Sequence, residues 1–120
     1  MKKIILLLAV LIGFGLSTNA SSFGKKQTLC CTKNAAGVKE KIVFETEGTF
    51  KVYEIGRLTA TGFYDYSPSK DTIKLNGVRD NEETYELTFK EVKYSSEKLT
   101  SAVVEISKNK KKTTFNYKSC

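Results

Sequence analysis

Three cysteines are the residues of this chain best able to form covalent bonds or to bind a metal. Cys30 and Cys31 are adjacent, and Cys120 is the last residue of the sequence. A reactive thiol normally needs a base such as His, and a structural zinc site needs four ligands from Cys and His. Since the chain contains no His, we expect neither a thiol nucleophile nor a metal site. The cysteines are therefore predicted to be structural, either joined in a disulfide or left unpaired in the fold.

The phase of the cysteines along their predicted strands favours one disulfide over another. Adjacent strand residues point to opposite faces, so only one of Cys30 and Cys31 can easily reach Cys120. Cys30 lies on the more polar side of its strand, and Cys120 shares the polar side of the last strand with Lys118. We predict a Cys30–Cys120 disulfide, with Cys31–Cys120 as the alternative. The remaining cysteine could form an intermolecular bond.

No other pattern of residues points to catalysis. The sequence contains no nucleophile elbow, phosphate-binding loop or dinucleotide fingerprint. Carboxylates are present in predicted turns and loops, where acidic residues also occur for solvation alone: Asp65, Asp71, Asp80, Glu82 and Glu83. Segment 80–83 lacks the alternating ligand spacing and the central Gly of a calcium loop. We therefore expect a protein that is not an enzyme and that uses no cofactor.

A cluster of lysines near the C-terminus could attract anions. Its members are Lys108, Lys110, Lys111 and Lys112. For an exported protein the available anions are phospholipid headgroups, acidic glycans and cell-wall polymers, so we expect no nucleic acid partner. The cluster predicts weak contact with anionic surfaces. A solubilising hairpin tip that discourages edge pairing is the alternative.

The N-terminus predicts export. Lys2 and Lys3 precede the apolar run Ile4–Leu16, and small residues follow it. These are the parts of a cleaved signal peptide, and the run is shorter than the roughly 20 apolar residues of a spanning helix. We predict removal of residues 1–20 and export to the periplasm or the medium, with a retained membrane anchor as the alternative. Residues 21–120 are then a single, monomeric β domain, whose formal net charge falls from +7 to +5 on loss of the two lysines.

Short alternating runs separated by turn residues predict an all-β fold. The predicted strands span residues 27–32, 38–45, 50–55, 57–66, 72–75, 84–94, 99–107 and 113–120. Asn76-Gly77 predicts a tight turn, residues 78–83 a loop, and a phase shift before Val92 a β-bulge. A helix is the alternative over 84–94, although the alternation there favours a strand. About eight short strands indicate an antiparallel up-and-down meander that closes into a small barrel, with a sandwich as the alternative.

The apolar phase of each strand identifies the predicted core. In a barrel this phase faces inward, which places Ile42, Phe44, Leu87, Phe89 and Phe115 inside.

Two tyrosines are the predicted contact residues. Segment 57–66 places Tyr64 and Tyr66 on the same side as Leu58, Ala60 and Gly62. A Gly in a strand can bend the strand or admit a close neighbour. We therefore predict that Tyr64 and Tyr66 line the cavity or contact patch, with ordinary core or surface tyrosines as the alternative.

Segments between residues 61 and 99 resemble strands of small bacterial lipocalin-like domains. The matching segments are Gly62-Phe63-Tyr64-Asp65-Tyr66, Asp71-Thr72-Ile73-Lys74-Leu75, Tyr85-Glu86-Leu87 and Ser95-Ser96-Glu97-Lys98-Leu99. The chain departs from lipocalins proper in having no Trp. The resemblance implies an up-and-down barrel with an apolar cavity, and thus a module that binds a small apolar ligand or a component of the cell envelope.

The cysteine placement is similar to that of periplasmic inhibitors of c-type lysozyme, small barrels that can tie an early strand to a C-terminal Cys. Their Ser-Gly-x-x-Tyr signature falls near Thr61-Gly62-Phe63-Tyr64, where the Tyr comes one residue early. The positive charge of this chain also suits a strongly basic target badly. This resemblance implies the alternative function, a protein-binding module such as a periplasmic enzyme inhibitor. A small-ligand binder should contain an interior cavity, whereas a protein binder should have a filled core and an exposed aromatic or basic patch.

Overall fold

Alternating apolar and polar residues fold into eight β-strands in the computed structural model, which describes residues 21–120. The strands are β1 (Gln27–Cys31), β2 (Glu40–Phe44), β3 (Thr49–Glu54), β4 (Arg57–Ser67), β5 (Thr72–Arg79), β6 (Thr84–Ser95), β7 (Lys98–Lys108) and β8 (Lys111–Ser119). The predicted signal peptide, residues 1–20, lies outside the described residues. Within residues 21–120, no helix has the length and apolar character needed to cross a membrane.

Each strand pairs antiparallel with the next, and β8 returns to pair with β1, so the sheet closes. This seam is short, with Leu29 opposite Ser119 and Cys30 opposite Lys118. A Cys30–Cys120 disulfide, with a Cα–Cα distance of 5.7 Å, lies beside it. The predicted barrel and disulfide are both confirmed. Cys31 points into the core, where its thiol stays free and donates to the Lys33 carbonyl oxygen.

Three of the connections are tight turns whose two central residues have positive φ angles. These pairs are Ile55-Gly56, Ser96-Glu97 and Asn109-Lys110. Two-residue turns of this kind follow the right-handed twist of the strands that they join. The connection between the strands predicted at 99–107 and 113–120 is therefore shorter than expected and consists of Asn109 and Lys110, while Lys108 belongs to β7 and Lys111 and Lys112 belong to β8.

The turn predicted at Asn76-Gly77 is wrong, because β5 continues through both residues. Gly77 lies directly opposite Gly62 of β4. A methyl group on Gly77 would lie 2.0 Å from the Thr61 carbonyl oxygen, so the glycine serves the close approach of β4 and β5 and not a reversal of the chain. The predicted loop 78–83 consequently shortens to residues 80–83.

The predicted inward phase is confirmed. Ile42, Phe44 and Phe89 are fully buried, and Leu87 and Phe115 pack half-buried against the same core. The predicted bulge is present in β6, where the register shifts between Lys90 and Lys93. The bulge turns the phase of the strand so that Val92 is buried.

The predicted phase of β4 is wrong at Leu58, because a second bulge lies between β3 and β4. The register shifts between Val52 and Tyr53 of β3, so that Val52 lies opposite Ala60 but Tyr53 lies opposite Leu58. Leu58 is consequently 44% exposed, although sequence alternation grouped it with the buried Ala60.

The segment before β1 fills one end of the barrel. Phe23 is only 1% exposed, and its ring centroid lies 4.8–5.8 Å from those of four other aromatic residues. These residues are Phe44, Tyr64, Tyr66 and Tyr94. The hydroxyl of Ser21 also donates to the Tyr66 carbonyl oxygen at 2.8 Å. We call this the plugged end; the β1–β2, β3–β4, β5–β6 and β7–β8 connections surround the opposite, open end.

We expect Gly77→Ala to destabilise the protein, because the new methyl group would overlap the backbone of β4. The loss in free energy of unfolding should be at least about 2 kcal/mol, measured by urea denaturation. The matched control is Gly24→Ala, where no heavy atom lies within 4 Å of the added methyl group. It should change the free energy by less than about 0.5 kcal/mol. Equal effects of the two substitutions would contradict a close β4–β5 approach.

Candidate ligand site at the open end of the barrel

A pocket of about 240 Å³ lies at the open end of the barrel. One wall is apolar and comes from β6, β7 and β8, with the side chains of Leu87, Val104, Ile106 and Phe115. The opposite wall is polar and comes from β2, β3, β5 and the β1–β2 loop, with Asn34, Glu40, Glu54 and Arg79. The rest of the lining comes from Ala35, Ala36, Tyr85, Glu86 and Tyr117. The pocket is therefore amphipathic.

Strand alternation explains why charged side chains reach the interior. Glu40 precedes Ile42 and Phe44 on the inward phase of β2, and Glu54 follows Phe50 and Val52 on that of β3. In each strand the inward position nearest the open end thus carries a carboxylate.

Arg79 likewise occupies the inward position of β5 that is nearest the open end. It follows the buried Ile73 and Leu75 at two-residue spacing, with Gly77 between. Sequence analysis did not single out Glu40, Glu54 or Arg79. The signal that could have found them is a charged residue that continues the apolar phase at one end of a strand.

Glu40 is the most deeply buried acid of this wall, with 5% of its surface exposed. Burial raises the pKa of its carboxyl above the usual value, although hydrogen bonds from Tyr117 and Asn34 oppose that rise. Its cross-strand neighbour is Glu54, whose negative charge raises the pKa further. Like charges placed directly opposite each other destabilise a sheet, so the pocket holds an arrangement that is costly in isolation.

Asn34 fixes the β1–β2 loop over this wall. Its side-chain oxygen accepts hydrogen bonds from the backbone N–H groups of Ala36 and Val38, at 2.9 and 3.0 Å. Its Nδ2 donates to Oε2 of Glu54 at 2.9 Å. The loop and the acidic wall are therefore one hydrogen-bonded unit.

The remaining polar groups are a cation and two phenols. The Arg79 guanidinium carbon lies 4.9 Å from the centroid of the Tyr85 ring. Tyr117 donates its hydroxyl proton to Oε1 of Glu40. Burial is the main cause that raises the pKa of both tyrosines, so both stay protonated donors at neutral pH. On the polar wall two carboxyl side chains, Glu40 and Glu54, thus lie beside a single arginine, in a chain whose formal net charge is +7.

The pocket also opens sideways between β6 and β7. Within the described part of the chain, the β6–β7 pairing ends at Phe89 opposite Val104, although both strands continue toward the open end. A surface depression over this gap shares Leu87, Val104 and Ile106 with the pocket. A Lys90–Glu105 ion pair of 3.3 Å spans the strands where the pairing stops. A ligand could therefore reach the apolar wall from the side as well as from the end.

The predicted contact tyrosines lie at the plugged end, away from this pocket. Tyr64 and Tyr66 are 3% and 8% exposed and pack against Phe23. The Tyr64 hydroxyl donates to the Glu45 carbonyl oxygen at 2.7 Å and accepts from the backbone N–H of Phe23 at 3.1 Å. Neither tyrosine lines the open-end pocket. Their role in ligand contact stays a prediction.

The other predicted residues lie on the surface. Lys108, Lys110, Lys111 and Lys112 are all exposed at the β7–β8 hairpin, at the open end of the barrel. Asp80 pairs with Arg57 at 2.8 Å. Among residues 21–120, no group of three or more His, Cys, Asp and Glu side chains is arranged to hold a metal ion.

The raised pKa of Glu40 makes a testable contribution to stability. Because the folded pKa is raised, this contribution is complete below the ordinary carboxyl pKa of about 4.3 and is lost as pH rises through the folded value. The native protein should therefore lose stability relative to Glu40→Gln as pH rises from about 4 to 7. Urea denaturation at several pH values measures this difference. Glu47→Gln, on an exposed turn, controls for the change in net charge. A difference between native protein and Glu40→Gln that stays constant with pH would contradict the assignment.

A scan against models of protein families, a search of the curated proteins and a search of the solved structures each found no match. The lipocalin-like and lysozyme-inhibitor resemblances therefore both stay predictions, and the pocket must be interpreted from its own residues.

Proposed function

We propose that this protein is an exported, non-enzymatic binding module that holds a small amphipathic cation in the open-end pocket. The observation that carries the proposal is the local excess of carboxyl over basic side chains, facing an apolar wall inside a chain that is basic overall. The lipocalin-like resemblance and the predicted signal peptide are in keeping with this function.

The size of the pocket limits the ligand. Typical pockets for drug-sized molecules measure about 300–1,000 Å³, and this one, at about 240 Å³, lies below that range. Large side chains, among them Phe44, Phe50 and Phe89, fill the barrel beneath it. A short alkyl or aryl amine fits this space, whereas a long-chain lipid does not.

Each wall has a defined role in this proposal. The ligand's ammonium group donates hydrogen bonds to Glu54 and to the free lone pairs of Glu40, which relieves the repulsion between the two carboxylates. Its apolar part packs against Leu87, Ile106 and Phe115, whose side chains are only half-buried. Binding is favoured over catalysis because Tyr117 and Asn34 already hold the Glu40 carboxylate.

Three probes of matched length test the charge preference: hexylamine, hexanol and hexanoate. Titration of each at pH 7.5, followed by backbone amide NMR shifts, should show binding of hexylamine at residues of the pocket. Hexanol should bind more weakly, and hexanoate should not bind. Glu54→Gln should weaken hexylamine binding about tenfold, or about 1.4 kcal/mol, because Gln still accepts from Asn34 but carries no charge.

Two control variants locate the site. Glu82→Gln removes a carboxylate from the exposed β5–β6 loop and should leave hexylamine binding unchanged. Tyr64→Phe combined with Tyr66→Phe tests the plugged end, and it should also leave binding unchanged. Equal binding of hexylamine and hexanoate, or shifts confined to the plugged end, would overturn the proposal.

A further inference from the structure

A second surface, on the outside of the barrel, carries exposed apolar side chains. Among the described residues, the large hydrophobic side chains that remain exposed are Ile55 (73%), Leu58 (44%), Phe63 (69%) and Val78 (54%). All four belong to the β3–β4 turn, β4 or β5. Scattered exposed apolar residues are normal on a protein surface, but a group confined to one face indicates an interaction site.

Strand pairing places these side chains side by side. Tyr53 of β3 lies opposite Leu58, and Thr61 of β4 lies opposite Val78. Ile55 lies in the turn between β3 and β4, and this turn separates Tyr53 from Leu58 along the chain. Phe63 lies two positions beyond Thr61, on the same side of β4. We call this surface, made of Tyr53, Ile55, Leu58, Phe63 and Val78, the β4 face.

The β4 face contains a depression large enough for a side chain. Its volume is about 160 Å³, and Leu58 and Val78 form its apolar sides. Its polar lining consists of the hydroxyl-bearing Thr59 and Thr61 together with Arg79 and Asp80, and the Asp80 carboxylate is paired with Arg57 at 2.8 Å. Pockets of this kind take the anchor residues that dominate protein–protein binding. A wider groove lies beyond Tyr53 and Ile55 and continues to the Cys30–Cys120 disulfide.

The border of the face on the β2 and β3 side is basic. Lys41 lies opposite Tyr53, with its Nζ 5.5 Å from the centroid of that ring. Lys51 lies opposite Thr61, and Lys39 lines the groove beside Ile55. Within residues 21–120, none of these three lysines forms an ion pair. Their charges are therefore available to a partner.

We infer that the β4 face docks a protein partner that presents an apolar anchor side chain beside carboxylates. Charge complementarity identifies the partner as acidic, since uncompensated lysines border the apolar residues. The same lysines would repel a second copy of this chain. The side-chain-sized depression, lined by hydroxyl groups, fits a protein better than the smooth headgroup region of a membrane.

A short synthetic peptide of alternating Glu and Leu is a suitable probe of this inference. Backbone amide NMR should show shifts on β3, β4 and β5, and fluorescence anisotropy of the labelled peptide should give its affinity. Peptides of alternating Glu and Ser, and of alternating Lys and Leu, should bind at least about tenfold more weakly.

Two pairs of substitutions of equal charge provide the matched control. Lys41→Glu with Lys51→Glu should weaken binding of the Glu-Leu peptide at least about tenfold, whereas Lys110→Glu with Lys111→Glu, on the distant β7–β8 hairpin, should change it less than about twofold. Leu58→Ser with Val78→Ser, both at exposed positions, should also abolish binding without loss of the folded spectrum.

Several outcomes would overturn the inference. Equal weakening by the two lysine pairs would show attraction by net charge alone. Binding of anionic phosphatidylglycerol vesicles through the β4 face, without binding of the Glu-Leu peptide, would assign the surface to a membrane. Binding of none of these probes would leave the apolar residues without a docking role. Because the β4 face lies outside the barrel, failure here and failure of the pocket proposal are separate results.

Discussion

The width of an eight-stranded barrel governs the rest of this structure, because such a barrel encloses little more space than its own side chains fill. Phenylalanine and tyrosine rings fill the plugged end, where Phe23 completes the packing. At the open end the inward positions carry Glu40, Glu54 and Arg79, which cannot pack as densely as rings. The open-end pocket therefore lies where the interior of residues 21–120 changes from apolar to charged. The chemistry of the pocket and its location have the same physical cause.

The distribution of charge gives the molecule two different surfaces. Inside the open end the glutamates outnumber the arginine, whereas the outer border of the β4 face is lined by lysines. The two proposals thus assign ligands of opposite sign to the interior and the exterior. Because the two proposed sites occupy opposite sides of one sheet wall, a cation in the pocket would not obstruct a protein partner on the β4 face.

Much of the fold could be predicted from local patterns, but the sites could not. Two-residue alternation gave the strands and the inward phase of residues such as Ile42 and Phe89, and the phase of Cys30 favoured the correct disulfide. The turn predicted at Asn76-Gly77 is wrong because a turn signal depends on local sequence alone, whereas the contact of Gly77 with β4 depends on the whole barrel. Glu40 was overlooked because an acid at the end of a short strand normally indicates solvation. Only barrel closure shows that it is buried.

The short seam between β1 and β8 has a consequence for the order of folding. Every other pairing joins strands that are neighbours in sequence, so those hairpins can form quickly with little loss of chain entropy. The seam joins the first and the last strand of the sequence, and only a few backbone pairs stabilise it once it has closed. It should therefore be the last pairing to form. Until then the chain is an open sheet with two bare edges, exposed to pairing with other chains. Formation of the Cys30–Cys120 disulfide links β1 to the end of β8 and so stabilises the closed barrel against reopening.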